Sequence, residues 1–248
     1  ESIGYNSWVL PALLIIPVIG ALLVWLHGAT LKGASGDALA SAEGTARVMT
    51  LAIFLLEFVV SIGLWWSFDP TSSGWQAGFD APWIESWGSR FSLGIDGLSL
   101  MMVLLTTFLM PLAVLGGWTS ISKKVHAYHA LMLLLTVGML GVFVARDLFL
   151  FYVMWEVMLI PMYFIVGIWG GERRIYASLK FFIYTMFGSL LMLAAIVYLG
   201  YQAGLVGLVL GEQSSSANRV VVAGRRRLGQ TAPVQAADRF AIGSNTKA

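Results

Sequence analysis

Cysteine is absent from the 248 residues, and only 11% of them are charged. The first absence excludes disulfides, thiolate-bound zinc and cysteine-ligated iron–sulfur clusters, so no such redox centre is expected on this chain. The second excludes an ordinary soluble domain, in which about a quarter of residues carry charge. No basic segment precedes the first apolar stretch, so a cleaved signal peptide is not expected; the chain opens with Glu rather than Met. What is abundant is apolar: 58% of residues are hydrophobic, with ten Trp and fourteen Phe, and the mean hydropathy is +0.80. Trp and Phe in such numbers suit interfacial belts and helix packing. A lipid bilayer is the expected partner, and nucleic acid is not.

Length and charge exclusion draw six membrane spans, over residues 8–26, 48–68, 98–118, 127–145, 148–169 and 175–201. The expected fold is all-α, a polytopic bundle of transmembrane helices. A Gly/Ala/Ser-rich connection with Lys32, Asp37 and Glu43 separates the first two spans. A longer loop, 69–95, separates the next two, with Trp75, Trp83 and Trp87 as headgroup-level anchors. The loops after spans 1, 3 and 5 hold Lys32, Arg47, Lys123, Lys124, Arg173 and Arg174, against Arg90 and Arg146 on the other side. The positive-inside rule then puts the N-terminus outside. Residues 202–248 break the pattern with five Arg, Lys247, Glu212 and Asp238. They are expected to form a disordered basic tail, their Arg residues set on no clear amphipathic face.

Glu156 lies in the middle of the run between Asp147 and Gly170, which has no other charge between its ends. A carboxylate at the centre of a spanning helix costs about 2.5 kcal/mol or more on insertion scales, and such residues mark ion pathways and proton relays. Pro161, five positions on, donates no N–H and frees the carbonyl of Val157, which predicts a bend and a polar backbone oxygen beside Glu156. Two roles fit: a proton-transfer group, or a protonated Glu used as a packing device through one interhelical hydrogen bond.

In span 6, Lys180 lies about 8 Å inside the helix end by the helical rise. It either snorkels to the interface or reaches Glu156 across adjacent antiparallel helices, through two or three waters over an axial offset of roughly 10 Å. Tyr184 shares its face at i+4, with Thr185 next to it. Glu57 repeats the theme in span 2, where a protonated Glu in an interhelical hydrogen bond is the preferred expectation. In span 3, Pro111 frees the carbonyl of Thr107, a tolerated kink, and Asp96 caps the helix start. His126 and His129 stand three apart at the rim of span 4, while His27 ends span 1. That placement does not suit haem ligation, which needs imidazoles on facing helices at depth, and it leaves rim histidines that could pass protons.

The stretch FYVMWEVMLIPMYFIVGIWGGERRIYASLKFFIYTMFGSLLMLAAI, residues 151–196, resembles spans 5 and 6 of subunit M of the bacterial proton-pumping NADH:quinone oxidoreductase, respiratory complex I. SLGIDGLSLMMVLLTTFLMPLAVL and ARDLFLFYVMWE are similar to the same subunit upstream. The resemblance covers about residues 5–201 and favours subunit M over its sisters L and N and over the multi-subunit cation/proton antiporters.

The resemblance implies an antiporter-like inverted-repeat fold, of which this chain holds the leading spans and part of the first repeat. It implies that Glu156 is the central proton-transfer residue, coupled in the family to a lysine on a later span that this sequence does not contain. It further implies no cofactor on this chain, with FMN, iron–sulfur clusters and quinone on other subunits. The implied partners are other membrane-arm subunits, and the implied location is the bacterial cytoplasmic membrane. Beyond Tyr201 the resemblance is expected to stop, as a truncated or out-of-frame gene product would read. Three functions remain open: a proton-translocating subunit of the complex, a structural or assembly fragment that does not conduct, and a subunit of a cation/proton antiporter.

Overall fold

The computed structural model describes residues 4–30, 36–72, 74–84 and 89–202. The basic segment beyond residue 202, Lys32 and Trp87 lie outside the described residues. Among the described residues six helices are long and apolar enough to cross a membrane: α1 Tyr5–Thr30, α2 Asp37–Ser67, α3 Gly97–Gly116, α4 Val125–Val144, α5 Leu148–Trp169 and α6 Arg174–Gln202. Length and apolarity make them helices, because in a bilayer the backbone must satisfy its own hydrogen bonds.

Helix α2 begins at Asp37, earlier than residue 48, where its apolar stretch starts. Its 31 residues span about 46 Å, more than the hydrocarbon core requires. The extra turns are Ala- and Gly-rich, and one side of them, Ala42 and Ala46, is buried. Arg47 holds them against the α3–α4 connection by donating to the Ile121 carbonyl at 3.0 Å. Helices α3 and α5 run unbroken through Pro111 and Pro161.

The connection between α2 and α3 is the main departure from expectation. Instead of a loop it contains an antiparallel hairpin, β1 Gln76–Ile84 and β2 Ser89–Ile95, with register shifts on either side of the regular stretch from Phe79↔Leu93 to Pro82↔Arg90. Side chains of β2 turn into the bundle, where Leu93 and Ile95 are buried with Leu10, Leu64, Leu100, Val103, Leu140 and Val144. The hairpin therefore seals one end of the bundle. Trp75 covers the Arg146 guanidinium, with its ring centre 5.5 Å away. Trp83 packs edge-on against Phe91 and obliquely against Phe149.

Two acidic caps tie helix starts to this hairpin. Asp96 accepts the Ser99 amide at 2.8 Å while Ser99 Oγ accepts the Asp96 amide, also at 2.8 Å. Burial pushes the Asp96 carboxyl up, but hydrogen bonds from Ser99 and neighbouring amides outweigh it and hold it below the usual carboxylate range. Asp147 accepts from the amides of Phe149 and Leu150 at 2.8 and 3.0 Å, and the Arg146 amide donates to the Ser92 carbonyl of β2 at 2.9 Å.

Helix α4 occupies the centre, in contact with α1, α2, α3 and α5. Gly138 and Gly141 let α5 approach closely: a Cβ on Gly138 would stand 2.8 Å from the Met158 backbone nitrogen, and one on Gly141 would meet Met154. Small residues at such a seam drive helix association where lipid removes the hydrophobic incentive. Helix α6 rests on α5 and exposes Phe187, Leu190, Leu191 and Val197.

Candidate proton-transfer site

The antiparallel pair α5–α6 sets the surroundings of Glu156. Tyr163 meets Phe182 with ring centroids 5.3 Å apart, and Gly167 lies beside the Ser178 hydroxyl. The same register puts Ser189 opposite Glu156. Tyr152, one turn before Glu156 on α5, lies close enough to interact with both the Glu156 carboxyl and the Ser189 hydroxyl. Ser189 is buried and donates to the Met186 carbonyl at 3.0 Å. Glu156 Oε1 is buried and has no hydrogen-bond partner among the described residues. A carboxyl with one oxygen open and a tyrosine at its side can accept a proton, release it and receive a hydrogen bond in its charged form.

Lys180 is not brought to this site. Ser178, Phe182 and Ser189 mark the face of α6 turned toward α5, and Lys180 lies two residues from both Ser178 and Phe182, on the opposite side. It is exposed, between the rings of Tyr176 and Tyr184, 5.7 and 5.8 Å from their centroids. In the α5–α6 register it falls opposite Ile165, nine residues from Glu156, an axial offset of about 14 Å. Both its direction and its distance therefore differ from the expected water-bridged pair. Tyr184 shares its exposed face.

Glu57 is fully buried in the stripe of α2 formed by Thr50, Phe54, Glu57, Ser61 and Leu64. The interhelical hydrogen bond expected for it is missing: neither carboxyl oxygen has a partner among the described residues. The hydroxyls that could have served, Ser61 and Thr107, bond each other at 2.7 Å one turn away. At the opposite end from the hairpin, His27 and His126 face each other with ring centroids 5.5 Å apart. His129 is buried one turn further in. No three His, Cys, Asp or Glu side chains among the described residues are arranged to hold a metal ion.

Sequence reasoning missed Tyr152 and Ser189. The i, i+4 spacing of Tyr152 and Glu156 was a signal on one helix, whereas Ser189 needed the register between two. It also treated His27 apart from His126, which only the packing of α1 on α4 joins.

Residues 145–222 match the family described as NADH:quinone oxidoreductase/Mrp antiporter, transmembrane. The matched segment begins just before the Asp147 cap and runs past residue 201. The chain is 45% identical over 169 residues to NADH-quinone oxidoreductase subunit M of Rhodobacter capsulatus, covering 68% of this chain and 32% of that protein. It is 40% identical over 201 residues to subunit M of Escherichia coli K12, covering 77% and 37%. Among solved structures it matches respiratory complex I from Thermus thermophilus with a TM-score of 0.63 and 29% identity, over 79% of this chain and 36% of that one. The chain thus spans about a third of the length of the curated relatives it matches. From these matches and its six apolar helices, the chain is an integral membrane protein that belongs to the family of subunit M of NADH:quinone oxidoreductase.

Proposed function

We propose that this chain forms part of the proton-translocating membrane arm of an NADH:quinone oxidoreductase in the bacterial cytoplasmic membrane, with its N-terminus outside. Its partners are the other membrane-arm subunits, and the electron carriers, FMN, iron–sulfur clusters and quinone, reside on other subunits. Glu156 takes up and releases a proton during coupled pumping. The observation that carries this reading is the open, buried Oε1 of Glu156 at the middle of an otherwise uncharged helix, beside Tyr152 and Ser189. Tyr152 donates to the carboxylate when the proton has left, with the Ser189 hydroxyl beside the phenol. Lys180, exposed between two tyrosines, serves at most a tuning role in this arrangement.

The test is Glu156→Gln in the assembled complex, which keeps size and hydrogen bonding and removes proton exchange. Assembly stays intact, while proton pumping and the quinone reduction coupled to it fall strongly. Normal coupled activity in that variant would assign Glu156 to packing. A non-conducting structural role is the second reading, and the apolar outer face of α6 favours it, since such a face suits a neighbouring helix as well as lipid.

A further inference from the structure

The α1–α4 half of the bundle holds a line of buried polar groups that the Glu156 site does not use. It starts at the end opposite the hairpin, where His27 of α1 and His126 of α4 meet near Glu43 and Arg47 of α2. His27 Nε2, His126 Nε2 and His129 Nδ1 are all buried and without partners among the described residues. All three histidines of the chain are in this cluster. Deeper in, Thr50, Thr136 and Glu57 are each fully buried, followed by the Ser61–Thr107 pair.

The contacts between helices set the depths. Gly20 of α1 lies against Ile53 of α2, and Gly28 of α1 against His126 of α4. This register places Thr136 about two residues, roughly 3 Å, to the histidine side of Glu57. Ser61 with Thr107 aligns α2 with α3 and puts Pro111 opposite Glu57. Pro111 lacks an N–H, so the buried Thr107 carbonyl loses its ladder donor in the same neighbourhood. Phe54 interrupts the stripe between Thr50 and Glu57 on α2, and Thr136 on α4 passes it by.

A buried carboxyl with two unsatisfied oxygens calls for water or an ion. No charged side chain among the described residues acts on Glu57. Beyond Ser61 and Thr107 the line ends, because Leu64, Leu100 and Val103 close the bundle beneath the hairpin. We propose that Glu57 is a second proton-holding site, hydrated and open only toward the histidine end, reached through His129 and Thr136. Each exchange breaks the Glu57 O–H bond as its proton passes to water and forms a new one with a proton from that water chain, so no net charge moves. The site stands independently of the role proposed for Glu156, since it uses other helices.

The experiment is infrared spectroscopy of the full chain in lipid vesicles, with the Glu156→Gln variant as the background. A protonated-carboxyl band is expected that shifts in D2O and disappears in the Glu156→Gln/Glu57→Gln double variant. Thr136→Val, which leaves Glu57 and the fold in place, keeps the band but slows its shift by about tenfold, as an added barrier in a relay does. A band that never shifts in D2O would mean a dry packing residue and overturn the proposal. So would the absence of any band lost with Glu57, or exchange unaffected by Thr136→Val.

Discussion

Beside Glu156, among the described residues, stand one phenol and one serine hydroxyl, with Oε1 left open, and each can be probed by a single substitution. Tyr152→Phe removes the hydroxyl between Glu156 and Ser189 while keeping the ring. In the assembled complex it is expected to lower coupled activity by about tenfold, the equivalent of ~1.4 kcal/mol on a barrier, and to leave assembly unchanged. Activity equal to the unsubstituted complex would remove Tyr152 from the path. Lys180→Met is expected to cost less than either Glu156→Gln or Tyr152→Phe, because Lys180 faces away from α5 between Tyr176 and Tyr184. A loss as complete as that of Glu156→Gln would raise Lys180 to equal rank.

Individual elements depend on two kinds of contact. The seam between α4 and α5 tolerates no side chain at Gly138, where the nearest obstacle is Met158 backbone. Gly138→Ala should lower stability by ~1–3 kcal/mol, measured as an earlier thermal unfolding in detergent. Gly44→Ala, with nothing within 4 Å of the added carbon, should leave the transition in place or raise it slightly. On the exposed side of the hairpin a charge pair adds to its buried contacts. The Arg90 hydrogen bond, more than any other influence, holds the Asp80 carboxyl below its ordinary range. A lowered folded value means that this pair stabilises the hairpin above the ordinary carboxylate pKa and that the contribution is lost as pH falls through the lowered value. Protection of the β1–β2 amides, corrected for intrinsic exchange, should therefore drop on acidification, and Asp80→Asn should weaken that dependence at Ala81 to Phe91, leaving the part carried by the Asp96 and Asp147 caps.

For the molecule as a whole, six helices form a bundle closed at the hairpin end and bare along the outer face of α6. Purified chain in liposomes is expected to insert and to show no more proton flux than empty liposomes under an imposed potential, because Glu57 sits beneath an apolar seal and Glu156 has only Tyr152 and Ser189 as polar neighbours described. Flux above background that disappears in Glu156→Gln would show instead that the chain conducts, for example by pairing with a second copy. Much of this plan was readable from the sequence because each span is a long apolar run bounded by charge or glycine, and because a carboxylate in such a run stands out against it. The hairpin was not. Its strands mix Gly, Pro and Trp with register shifts, and what stabilises them is burial of Leu93 and Ile95 against helices distant in sequence. The groups packed around Glu156 and Glu57 were hidden for the same reason, since a register between helices is not written along any one of them.

Helix α5 is held at both ends. The Asp147 carboxyl joins its first turn to the Ser89 hydroxyl and the Arg90 amide at 3.3 Å each, and Trp169 Nε1 grips the Lys123 carbonyl at 2.7 Å at the far end. A beam clamped at its two supports cannot slide or tip under load; it can only bow, and it bows at its weakest section. In α5 that section is the turn before Pro161, where one rung of the hydrogen-bond ladder is missing. Glu156 stands immediately beside it. Any bending of this helix would thus be concentrated as a local flexing beside the carboxyl.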